Sequence, residues 1–204
     1  MRQAVPAILA LALHACADAP PPSGAARREP ERIAGLRLGE PMTVPECSKE
    51  RTAAGVVYTI PPARYPCWRG AQTGLALRSR ARAEFTSGQM ALDPAQVPRG
   101  LDDDPWVLRL RGAIVEVSFQ TRGAADQQRL FRQLVDTYGP PSRLHRPGQP
   151  AADGGPARGI EAEWRFPQVR ICFSGVGTHQ EAGHLTYSSP EADAYWEAKG
   201  RPPR

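Results

Sequence analysis

The chain has 204 residues, 41% of them hydrophobic, with 22 prolines and 19 glycines; that is enough for one domain with a real core and many loops. Its formal charge is +5 at pH 7, from 26 basic residues of which only Lys49 and Lys199 are lysine. The arginines are dispersed, with no basic stripe or recognition helix, which argues against nucleic acid as a partner and for a solvated basic surface.

Residues 4–16 read "AVPAILALALHAC". Arg2 supplies a positive start, and the apolar run over 4–13 is too short for a bilayer span, which needs about 20 residues. It fits the apolar region of a secretory signal, roughly 7–15 residues long. Leu13, His14, Ala15 and Cys16 resemble the lipobox of bacterial lipoproteins. That resemblance implies removal of residues 1–15 as a signal peptide and lipidation of Cys16 by a diacylglyceryl group and an amide-linked acyl chain such as palmitate. Each buried acyl CH₂ contributes about 0.8 kcal/mol, so two or three chains anchor a protein stably. Ala17 stands where an aspartate favours the inner membrane, so the resemblance implies the periplasmic side of the outer membrane. The alternative is a cut after Ala17, leaving a soluble exported protein. Residues 17–32, "ADAPPPSGAARREPER", have no hydrophobic periodicity. They read, with Cys16, as a disordered tether ahead of one domain over 33–204.

Cys47 and Cys67 flank a proline-rich stretch. In an oxidising periplasm they are expected to form a disulfide, worth about 3 kcal/mol by loop closure; two buried thiols are the alternative. Cys172 is left as an odd thiol. No CxxC or Cys/His spacing suggests a zinc site.

Further along the chain, residues 36–38 read as a short strand. "GVVYTI" over 55–60 reads as a second, and "ALRSRARAEF" over 76–85 as a third with one charged face. "LDPAQVP" over 92–98 supports a helical turn at most. "WVLRLRGAIVEVSFQT" over 106–121 predicts two strands joined at Gly112, with Leu108, Leu110, Val115, Val117 and Phe119 on the packed side and the other side wet. "AADQQRLFRQLVDTYGPP" predicts a helix with the stripe Leu130, Phe131, Leu134, Val135 and Tyr138, stopped by Gly139. A flexible loop over 147–159 precedes a second hairpin. There Ile160, Ala162, Trp164 and Phe166 alternate with charge, and Val169, Ile171 and Phe173 form the returning apolar face. Cys172 then points the other way, with Arg170. "HLTYSS" over 184–189 predicts the last strand, and Ser189 caps a final helix opening at Pro190.

Hairpins dominate and no strand–helix–strand alternation occurs. The predicted fold is α+β, an antiparallel sheet built from hairpins with two helices packed on one face. "GLRLGEPMTVPEC", "PCW", "GAIVEVSFQT", "LFRQLVDTYGPPS" and "LTYSSPEA" together resemble a group of uncharacterised exported proteobacterial proteins over most of the mature chain. The element order is also similar to that of small periplasmic α+β lipoproteins of the outer-membrane assembly type, a likeness of architecture that carries no function by itself.

The chemistry-bearing residues are few. His179, Glu181 and His184 in "HQEAGH" are ligand types, but the histidines stand five apart across Gly183 rather than four apart on a helix. "DDDP" over 102–105 lacks the alternation of a calcium loop. Glu161 and Glu163 share the wet face of a strand. Ser189 near His184 reads as a cap rather than part of a triad. The four tryptophans read mainly as core; Trp68, beside Arg69 in a loop-rich stretch, is the candidate partner contact or a cover for the disulfide. The sequence therefore favours a non-catalytic, lipid-anchored envelope protein of binding or assembly type, without a cofactor, taking a protein or cell-wall partner. The alternatives are a secreted metal-binding protein or hydrolase using the His179 loop, and a periplasmic inhibitor.

Overall fold

A computed structural model describes residues 27–53, 55–58, 65–69, 85–145, 159–176 and 182–200. The signal segment 1–15, Cys16, the strand expected over 76–84, most of the loop after 147, and His179 and Glu181 lie outside these residues. The described elements are β1 (Lys49–Thr52), β2 (Gly55–Tyr58), β3 (Cys67–Arg69), β4 (Phe85–Ala91), β5 (Trp106–Leu110), β6 (Ala113–Gln120), α1 (Ala124–Tyr138), β7 (Arg143–His145), β8 (Glu161–Arg165), β9 (Arg170–Ser174), β10 (His184–Ser188) and α2 (Pro190–Ala198). A 3₁₀ turn at Pro94–Gln96 is capped by Asp93.

The fold is α+β. Eight strands form one antiparallel sheet in the order β3-β4-β5-β6-β10-β9-β8-β7, and β1 pairs with β2 separately. The expected hairpins are present. At the β5–β6 turn Arg111 (φ 52°) and Gly112 (φ 87°) are both left-handed, the geometry that suits a two-residue hairpin loop. Each run of four strands ends in a helix: β3 to β6 leads into α1, and β7 to β10 leads into α2. The last strand does not extend the sheet at its edge. β10 inserts between β6 and β9, matching Tyr187 to Val117 on one side and Ile171 on the other.

Alternation along β10 sorts the two faces of the sheet. Leu185 and Tyr187 point to the inner face, where they join Val117, Phe119, Ile171, Phe173 and Trp164 in the main core. There α1 packs through Leu130, Phe131 and Leu134, and the Tyr138 hydroxyl bonds that of Tyr187 at 3.2 Å. Gly139 (φ 78°) ends α1, as expected, and its N–H donates to the carbonyl of Val135. Thr186 and Ser188 point to the outer face. Ser188 donates to Asp193 of α2, and Ala192 of α2 packs on Leu108 and Val115. The two helices, expected on one face, therefore sit on opposite faces. A register shift between Leu108 and Arg109 causes part of this. The extra residue on β6 lets Ile114 and Val117 share the inner face while Val115 turns outward.

The N-terminal segment also departs from expectation. Residues 36–38 form no strand: Ile33 and Leu36 bond each other across a tight turn, and both are buried in the main core. The chain is already attached to the domain before Ile33. Arg27 donates to the carbonyl of Pro140 at 3.1 Å, and Glu29 accepts from the N–H of Gln168 at 2.7 Å. Arg27 and Glu29, within the stretch read as tether, thus find backbone partners on α1's exit and the β8–β9 turn.

The disulfide Cys47–Cys67 is formed, with Cα atoms 4.8 Å apart. It is buried with Ala91 and Tyr65. The segment leading to Cys47 runs parallel to β3, the Cys47 N–H donating to the Trp68 carbonyl and the Trp68 N–H to that of Pro45. This closes one edge of the sheet. β7 forms the other edge; its three residues are polar or exposed, which is how short edge strands escape sequence patterns.

Candidate functional site

Among the described residues the inner face is filled, and the largest described groove lies on the outer face. α2 covers one part of it. Ser189 accepts from the N–H of Ala192, Pro190 opens the helix, and Glu191 and Asp193 lie in its first turn. A chain of charges then fastens the helix to the sheet. Arg170 reaches Asp193 at 3.0 Å and Glu163 at 3.9 Å, and Arg165 pairs with Glu163 at 2.7 Å. Trp196 donates its indole N–H to Glu116 at 3.0 Å. Burial raises the Asp193 carboxyl above its ordinary pKa, and Arg170 and the Ser188 hydroxyl pull the other way.

Beside this clasp lies an open groove of about 790 Å³, floored by β7 to β10. Glu161, Glu163, Cys172 and Ser174 form its centre, with Arg143, His145 and His184 around them. Glu161 and Glu163 face Arg143, Arg165 and Arg170, so the groove has no strong net sign. Cys172 is the free thiol of this floor. Burial pushes its pKa up to about 11, with Arg170 opposing and Glu163 adding to the rise. It is therefore a protonated thiol at neutral pH and a poor nucleophile. Glu161 and Glu163 do share this face, as their spacing indicated, but Glu163 is committed to the two arginines.

His184 opens β10 and lies opposite Gln120 and Ser174. Its expected companions His179 and Glu181 lie outside the described residues. Among the described residues no group of three His, Cys, Asp or Glu side chains stands close enough to hold a metal.

The tryptophans are distributed differently from the sequence reading. Trp68, the candidate contact, is only 8% exposed. It points to the inner face and lies over Gly88 of the next strand, where a Cβ would stand 2.7 Å from its ring; the Arg109 guanidinium covers it at 4.9 Å. It belongs to the main core rather than to the cluster around the disulfide. Arg69, the next residue, turns outward and pairs with Asp104 at 3.3 Å. Trp106, read as core, is 49% exposed. Val107 takes the inner position on β5, so Trp106 faces outward with Leu108, and only Leu108 is covered by α2. Trp106 lies opposite Gln89 on β4 and Ser118 on β6. The signal that separates Trp106 from Trp68 is long-range: one faces a glycine that receives a ring, the other faces polar side chains.

Comparison of the chain with protein-family models, with curated proteins and with solved structures yields no match. The site is therefore read from its own chemistry.

Proposed function

We propose that this chain is a lipid-anchored, non-catalytic binding or assembly protein on the periplasmic side of the outer membrane. Cys16 holds it to the membrane, and the outer face of the sheet meets the partner. The observation that carries this reading is the buried Cys47–Cys67 cross-link, which supports it because disulfides persist mainly in oxidising compartments. The apolar run ending in Leu13-His14-Ala15-Cys16 supplies the address and the acylated cysteine. Among the described residues no helix is long and apolar enough to cross a membrane, so acyl chains at Cys16 are the membrane contact of this reading. The protonated Cys172 thiol and the charge-paired Glu163 support binding rather than catalysis on the outer face.

Metabolic labelling with an alkyne fatty acid tests the anchor. The wild-type chain takes up label and fractionates with membranes, and Cys16→Ser does neither. Equal label in both chains refutes the anchor.

A further inference from the structure

The outer face carries a second feature beside the charged groove. Trp106 presents about half of its surface to solvent, although it sits on a strand next to buried Pro105 and Val107. The side chains directly opposite it are neutral and polar; Leu108, next on its face, is covered by α2, and Glu116, on one diagonal, accepts from the Trp196 indole. Gln89 and Ser118 stand directly opposite on the two neighbouring strands, roughly 5 Å away, and Gln120 lies on the diagonal. The Ser118 hydroxyl bonds that of Thr186 at 2.9 Å, so the floor beyond the ring is already ordered. Arg69 and Asp104 stand at the rim and neutralise each other.

We propose that Trp106 and these polar neighbours bind an N-acetylated, uncharged glycan chain of the cell-wall type. The proposal deepens the binding half of the function above and does not require the anchor. A hexose ring has one face of C–H groups and an edge of hydroxyls. The indole offers a flat apolar face in a polar setting, which matches the first. Gln89 and Gln120 each offer an amide with two donors and one acceptor, which matches the acetamide group and the ring hydroxyls. A protein hot spot would need further apolar anchors and an excluding ring around the tryptophan. None of Gln89, Ser118 or Gln120 is apolar, and the rim charges are already paired. The same balance disfavours an anionic ligand at this point.

The test uses the full-length mature chain in detergent micelles and tetra-N-acetylchitotetraose as the probe. Of the described tryptophans, Trp68 and Trp164 are buried, Trp196 is half-buried and Trp106 is the most exposed, so the acrylamide quenching lost in Trp106→Phe reports on Trp106. The probe, titrated to about 10 mM, shields this fluorescence with saturation. Trp106→Ala weakens binding, followed by calorimetry, at least tenfold with an unchanged melting temperature. Trp106→Phe weakens it less, and Gln89→Ala weakens it several-fold. Maltotetraose, which lacks the acetamide, binds at least several-fold more weakly. The proposal is overturned by no saturable effect of chitotetraose, by wild-type affinity in Trp106→Ala, or by equal binding of maltotetraose. Fatty-acid labelling of the same preparation separates this failure from failure of the anchor: a labelled chain without glycan affinity contradicts the glycan alone.

Discussion

Replacing Trp164 by phenylalanine removes the residue that locks α1 onto the inner face. Trp164 is fully buried, and its ring packs against Tyr138 and Phe131 at centroid distances of 6.5 and 6.3 Å. Its indole N–H donates at 2.8 Å to the carbonyl of Gly139, the residue that ends α1. Phenylalanine fills the part of this space nearest Cβ and leaves the buried carbonyl without its partner, at a cost of about 1–3 kcal/mol. The vacated far end of the indole leaves about 40 Å³, worth about 1 kcal/mol at the usual cavity cost. The sum, about 2–4 kcal/mol, is a large share of the roughly 5–15 kcal/mol that holds a domain folded. In urea, at about 2 kcal/mol per molar, the midpoint falls by about 1–2 M with an unchanged slope. Trp106→Phe, on the half-exposed outer face, stays within about 0.5 kcal/mol of wild type. A midpoint shift for Trp164→Phe no larger than that for Trp106→Phe refutes the packing described for α1.

Removing the disulfide with Cys47→Ala and Cys67→Ala together lowers stability by about 3 kcal/mol, and reductant lowers the calorimetric transition of the wild-type chain likewise; an unmoved transition contradicts the buried cross-link. Cys172 reacts slowly with iodoacetamide near pH 7.5 and accelerates toward pH 11. Its folded pKa lies above the ordinary 9.0, so the native state holds the proton more tightly. The stability linked to this group is complete below pH 9 and is lost, up to about 2 kcal/mol, as pH rises to about 11. A stability profile flat over that window in wild type, or equally sloped in Cys172→Ala, refutes the assignment. Arg170→Met leaves Asp193 without its arginine and Glu163 with Arg165 alone, and costs roughly 3 kcal/mol. Asp193→Asn costs less than about 1 kcal/mol, because burial already disfavours the charged carboxylate and the amide resembles its protonated form. Equal losses for the two variants in denaturant titrations contradict the clasp.

The parts of the fold that sequence made legible are local. The two hairpins at 106–120 and 160–174 follow from period-two alternation and short turns, and α1 follows from one stripe and a glycine stop. Ser189 and Pro190 begin α2 where their chemistry requires. The unread features depend on contacts far apart in the chain. Nothing in "HLTYSS" announces that it pairs with both β6 and β9. The bulge beside Leu108 is invisible to alternation, and it reverses which residues around it face the core. That reversal is why Val115 meets α2 on the outer face; Leu108 and Trp106 face outward because Val107 takes the inner position on β5. Short polar strands such as β1 and β7 carry no hydrophobic period. Of the site, Glu163, Arg170 and Cys172 were placed together by alternation, whereas Trp68 and Trp106 exchanged roles because only the register shows which faces Gly88.

Intact mass spectrometry of the N-terminal peptide, from the protein isolated out of membranes, tests the central claim most directly. The account predicts a chain beginning at Cys16 whose first residue carries a diacylglyceryl group and an amide-linked acyl chain, with this modified form absent from Cys16→Ser. A mature chain that begins at Met1, or after Ala17 with no acyl mass, contradicts it.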